Sequence, residues 1–99
     1  MRSICLAQLD EVRPVLVLTR EVVRPYLGRV TVVPITTTIR GLSTEVLVGP
    51  ANGLDNDSVV SCDNITTVPA DALGRQIGVL LAAQETMLAE AIRLAFDLD

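Results

Sequence analysis

Ninety-nine residues with a net charge of −4 make one domain, spanning residues 1–99 and near the lower limit at which an ordinary hydrophobic core holds a chain folded. With no histidine and only two cysteines, the chain offers no imidazole acid–base pair, no structural zinc site and no disulfide framework. An acidic total also excludes a purely electrostatic nucleic-acid binder, so any nucleic acid it holds must be held by a defined site.

The charge is uneven. Residues 1–49 carry six arginines against four acids, and residues 50–99 carry two arginines against eight acids. A basic first half on an acidic protein permits a polyanion-binding face without general stickiness. Apolar residues reach 49% before glycine is counted, against roughly 45–50% with glycine in an average domain. A domain this small cannot bury so much alone, which predicts a homodimer. No secretory pattern opens the chain and no apolar run approaches ~18 residues, so the expectation is a cytoplasmic protein without a membrane contact. Cys5 and Cys62 lie in strand-like stretches and read as buried small hydrophobes.

Ser3 to Leu9 reads as a first strand and Asp10-Glu11 as a tight turn. In the second strand, Arg13 to Thr19, Val15 and Val17 line one face and Leu16 and Leu18 the other. Apolar on both faces, this strand is central or lies at a subunit interface. Pro14 suits only a strand start or edge. A polar loop from Arg20 to Arg29, holding Tyr26, precedes the β-branched strand Val30 to Ile35. Thr36 to Leu42 is a loop, and Thr44 to Val48 is the next strand. Turn residues then fill Gly49 to Asp57 before a strand from Ser58 to Cys62. Asp63-Asn64 leads into Ile65 to Val68, Pro69-Ala70-Asp71 forms a short helical turn, and Arg75 to Val79 is a brief strand. Leu81 to Phe96 is helical, with Leu81, Gln84, Leu88, Ala91, Ile92 and Ala95 on one face. Five or six short strands followed by one helix predict a mainly β fold, a small barrel closed by a C-terminal α-helix.

The chemistry concentrates at two strand ends. Arg13-Pro14 opens one strand and Pro34-Ile35-Thr36 closes another. A guanidinium with hydroxyls suits a phosphodiester better than other common targets. Without histidine, RNA cleavage here must rest on positioning and charge stabilisation. Attack by a ribose 2′-hydroxyl builds negative charge on the non-bridging oxygens, where a fixed guanidinium acts without a metal. Three threonines run in a row, so the hydroxyl belongs to Thr36 or Thr37. Arg40, just past them, is a candidate phosphate anchor. Taken singly, each residue has a plainer reading: a solvated strand-end arginine, β-propensity threonines, and an Asp-Asn turn.

In order along the chain, Val12-Arg13-Pro14-Val15, Val33-Pro34-Ile35-Thr36 and Asp63-Asn64-Ile65 resemble the motifs of the MazF/PemK family of bacterial toxin endoribonucleases, from about Ile4 to the last helix. The resemblance implies an SH3-like barrel and catalytic roles for Arg13 and Thr36. It implies RNA contacts by Asp63 and Asn64, to which Arg40 and Thr37 are added as substrate-binding candidates. It further implies single-stranded RNA (mRNA, rRNA or tRNA) as substrate, products with a 2′,3′-cyclic phosphate and a 5′-hydroxyl, no cofactor, and a MazE-like antitoxin with a disordered acidic-hydrophobic tail. Two departures stand out: Ser3-Ile4-Cys5-Leu6 replaces the usual Gly-Asp-aromatic opening, and the loop before Arg13 is cut down to Asp10-Glu11-Val12. The alternatives are a CcdB-like gyrase poison of the same fold and a non-catalytic SH3-like binding module. The first lacks its Trp-Gly-Ile-type ending here, and the second lacks the aromatics of a peptide groove, since the chain has only Tyr26 and Phe96.

Overall fold

The computed structural model describes residues 1–99. Seven strands form one curled antiparallel sheet: β1 (Ser3–Gln8), β2 (Val12–Val17), β3 (Arg29–Thr36), β4 (Glu45–Val48), β5 (Ser58–Ser61), β6 (Thr66–Pro69) and β7 (Leu73–Val79). A single helix, α1 (Ala82–Ala95), follows. The mainly β architecture with a C-terminal helix is the one expected, but with one strand more than the five or six anticipated. The brief strand read at Arg75 to Val79 extends over seven residues, Leu73–Val79, and includes two glycines. It pairs with β1 through two register shifts, and those irregularities accommodate Gly74 and Gly78.

The order is β4-β5-β3-β2-β1-β7, with β6 also on β3. Of the two placements its apolar faces allowed, β2 takes the central one, between β1 and β3. Pro14 sits one residue before the β2–β3 ladder begins at Val15↔Pro34, so its missing N–H breaks no bond there. The long β3 forks along its other edge. Arg29 to Val32 pair with β6, and Ile35 and Thr36 pair with β5. Pro34, which has no N–H to donate, falls in the gap between these ladders. The corner joining β5 to β6 is a 3₁₀ turn of Cys62–Asn64, and the fork sets it beside the end of β3.

Both sheet faces are apolar in the middle. Ile4, Leu16, Val33, Val46, Val60, Leu80 and Leu88 form the larger core under the helix, and Cys5, Val15, Val17, Val32 and Val68 form the second. Cys5 and Cys62 are free and buried, as expected. Leu88 and Ala91 bury the helix face read from the sequence. At the helix start the Gln84 side chain accepts the Leu81 N–H at 2.9 Å and donates to the Leu47 carbonyl at 3.1 Å, tying the first turn to β4. At its end Leu98 N–H reaches the Arg93 carbonyl at 2.8 Å, with Asp97 left-handed at φ 54°, a Schellman closure made without glycine. No helix is long and apolar enough to cross a membrane.

Candidate active site

The register decides what meets at the strand ends. Counting outward from Val15↔Pro34, two residues back along β2 and two forward along β3 bring Arg13 opposite Thr36. Both line a groove of about 460 Å³. Asp63 and Asn64 enter it from the β5–β6 corner, and Arg40 from the β3–β4 loop. Five of the six residues singled out in the sequence therefore converge. The sixth, Thr37, does not: strand alternation sends it to the opposite side, into a separate groove. Tyr26, the one aromatic placed near a strand end, stands exposed on the β2–β3 loop and does not line the Arg13 groove.

Arg13 is held by a carboxylate that sequence reasoning passed over. Its Nε donates to Asp10 Oδ1 at 3.1 Å and its Nη2 to Asp10 Oδ2 at 3.4 Å, while Glu11 Oε1 lies 3.2 Å from Nη2. A two-point grip of this kind fixes the plane of the guanidinium. Nη1 is left without a partner, so its N–H groups are free to donate into the groove. The hydrogen bond from Arg13, with one from the Glu11 backbone, holds the Asp10 carboxyl below its ordinary range, while the hydrogen bond to Asp10 and the nearby Asp10 and Glu11 charges raise Arg13. Both groups are ionised at any pH near neutral. The available signal was the i, i+3 spacing of Asp10 and Arg13 across a two-residue turn.

Thr36 is poised as a donor. Its Oγ1 already accepts the Thr38 N–H at 3.1 Å, so its own proton is left to point elsewhere. The remaining acids of the groove are each occupied with its architecture. Glu45 accepts the backbone N–H groups of Arg40 at 3.2 Å and Leu42 at 3.0 Å, which shapes the loop that presents Arg40. Asp63 accepts the Thr44 hydroxyl at 2.7 Å, and Asn64 donates to Ser61 Oγ at 2.9 Å. The Arg40 guanidinium itself makes no hydrogen bond and no ion pair. The unspent donors are thus Arg13 Nη1, Thr36 Oγ1 and the Arg40 guanidinium. Three free donors around one opening, two of them permanently cationic, are a donor set that suits a phosphate group.

Such a site on an antiparallel half-barrel with one terminal helix defines a class of small phosphodiester-binding protein. Residues 3–96 match the family model described as "PemK-like, MazF-like toxin of type II toxin-antitoxin system". The chain belongs to this family. It is 69% identical over 99 residues to "Endoribonuclease MazF3" of Mycobacterium tuberculosis, covering all of this chain and 96% of that one. Among solved structures it is similar to "Mycobacterium tuberculosis toxin MazF-mt6", with a TM-score of 0.97 and 68% identity over 99% of both chains. It is also similar to an "Endoribonuclease in complex with its cognate antitoxin from Mycobacterial species", with a TM-score of 0.87 and 28% identity, covering 98% of this chain and 93% of that one.

Proposed function

We propose that this protein is an endoribonuclease toxin that cuts single-stranded RNA at defined sequences without a metal, stopping translation and growth until a MazE-like antitoxin neutralises it. The observation that carries this is the meeting of Arg13, fixed in plane by Asp10, with the free hydroxyl proton of Thr36 in one groove. The scissile phosphate sits between Arg13 Nη1 and Thr36 Oγ1. As the ribose 2′-hydroxyl attacks, charge grows on the non-bridging oxygens, and donors already aimed there need no reorganisation. The Asp10 carboxylate orients Arg13, and the 2′-hydroxyl proton is lost to solvent as the attack proceeds. The P–O5′ bond then breaks and the 5′-oxygen takes a proton from solvent, giving a 2′,3′-cyclic phosphate and a 5′-hydroxyl. Arg40 anchors a flanking phosphate, and Asp63 and Asn64 bound the RNA path, all as a homodimer in the cytoplasm.

The rival readings lose on this site. A gyrase poison has no use for a guanidinium locked beside a hydroxyl donor. A binding module for peptides would show an aromatic groove, whereas only two of the twelve residues lining this one are hydrophobic. The test is cleavage of a long RNA by the purified protein in excess EDTA, with product ends mapped. Cutting that persists in chelator and leaves cyclic phosphate is expected. Failure to cut any of several RNAs, or ends carrying a 5′-phosphate, would overturn the reading.

A further inference from the structure

A second groove, of about 360 Å³, lies at the same strand ends, where Pro14 and Thr37 line it. Each is the chain neighbour of a residue of the first groove, Arg13 or Thr36. Successive residues of an extended chain face opposite ways, and their α-carbons are about 3.8 Å apart. The two grooves therefore meet across a rim one residue thick. An RNA strand with its scissile phosphate between Arg13 and Thr36 reaches the second groove with an adjoining nucleotide.

The lining suits a base rather than a phosphate. Half-buried Leu6, Pro14 and Ile77 supply an apolar floor, and exposed Arg75, Asp55 and Asn56 stand around it. The first groove brings two arginines together, whereas this one has a single arginine over an apolar floor. One cation, one carboxylate and one amide over an apolar surface instead supply donors and acceptors for a base edge, together with a face to stack on. None of these three side chains is committed elsewhere, since Arg75 makes no ion pair and Asn56 uses only its carbonyl, which accepts the Ser58 hydroxyl at 2.9 Å. The groups are also held in place. Gly53, left-handed at φ +87°, packs against Ile77 and Gly78 so closely that no Cβ fits. That contact pins the Asp55-Asn56 loop beside the strand bearing Arg75.

We infer that this groove is a base-recognition subsite for the nucleotide adjoining the cut, in which Arg75 and Asp55 read the base edge and so help to set which RNA sequence is cleaved. The inference rests on the nuclease reading above. Its test begins with an oligoribonucleotide spanning a cut site mapped with the wild-type protein, and a set of versions each abasic at one position around that site. With the wild-type protein, one adjoining abasic position is expected to lower kcat/KM about tenfold, the scale of one lost base contact. Arg75→Ala should lower kcat/KM on the intact oligonucleotide by a similar factor, mainly through KM, and should then be indifferent to that abasic position. Asp55→Asn should shift the preferred base there. Because Arg75 is unpaired, the variant's melting temperature should match that of the wild type. Wild-type kcat/KM in Arg75→Ala, or an unchanged penalty at every abasic position, would overturn the inference while leaving the nuclease intact. No cleavage by the wild type would instead overturn the nuclease reading itself.

Discussion

Thr36 and Asp10 show how a residue's role is set by what its other atoms are doing. Because Thr36 Oγ1 already accepts the Thr38 N–H, its proton is left free to donate, and in the proposed reaction it donates to the phosphate. Thr36→Val should therefore lower single-turnover cleavage roughly 10²-fold or more, the scale for removing one donor to a developing oxyanion, while Thr36→Ser should keep most of the rate. For Asp10 the sign follows from its depressed carboxyl. The Arg13–Asp10 pair is complete above the ordinary aspartate value of about 3.9 and is lost only as pH falls through the lower folded-state value. The pair should thus persist across the neutral and mildly acidic range. An NMR titration of the Asp10 carboxyl should give a midpoint below the ordinary value, rising toward it in Arg13→Ala. Arg13 and Thr36 were legible in the sequence because their motifs are rigid, each tied to a proline at a strand end. Asp10 was not, because an acid in a turn has an ordinary reading as a turn residue and only the guanidinium's orientation reveals the grip. That Thr36 rather than Thr37 shares the groove with Arg13 follows from the Val15↔Pro34 register, which no local pattern fixes.

At the scale of elements, the fork of β3 does the assembling. One strand end supplies Thr36, the β5 ladder beside it brings the Asp63-Asn64 corner, and the β2 ladder brings Arg13. The short strands and the amphipathic helix could be read from alternation and periodicity. The fork could not, since it depends on pairings between residues some thirty positions apart, and β7 was read only from Arg75 onward because Gly74 and Gly78 break its pattern. Those glycines are structural. A Cβ on Gly78 would run into the Asn52 carbonyl, where the buried Asn52 side chain also joins Gly49, Val79 and Gln84. Gly78→Ala should cost at least about 2 kcal/mol by forcing backbone apart, checked by urea denaturation. Leu88→Ala should cost about 2–5 kcal/mol by emptying the helix side of the core. A small loss in either would mean that the helix and β7 pack more loosely than described.

For the whole molecule, composition set expectations that geometry then made specific. An apolar excess in a small domain predicted self-association, and large hydrophobics do stay exposed on β4 and on the outer side of α1, Leu47 at 64% and Met87 at 55% among them. Sedimentation at micromolar concentration should report twice the chain mass of 10.6 kDa, and a monomer mass would contradict the dimer. With an acidic total, the proposed RNA affinity would rest on a few donors in the groove rather than on a general field. Arg13 carries the most weight among them. The decisive measurement is the single-turnover cleavage rate of Arg13→Ala beside the wild type, on one RNA in EDTA with folding checked by circular dichroism. A fall of roughly 10³-fold is predicted, the upper range for losing one preorganised donor. A folded variant that cuts within about tenfold of the wild-type rate would contradict the account, because the charge built in the transition state would then be stabilised by some other group.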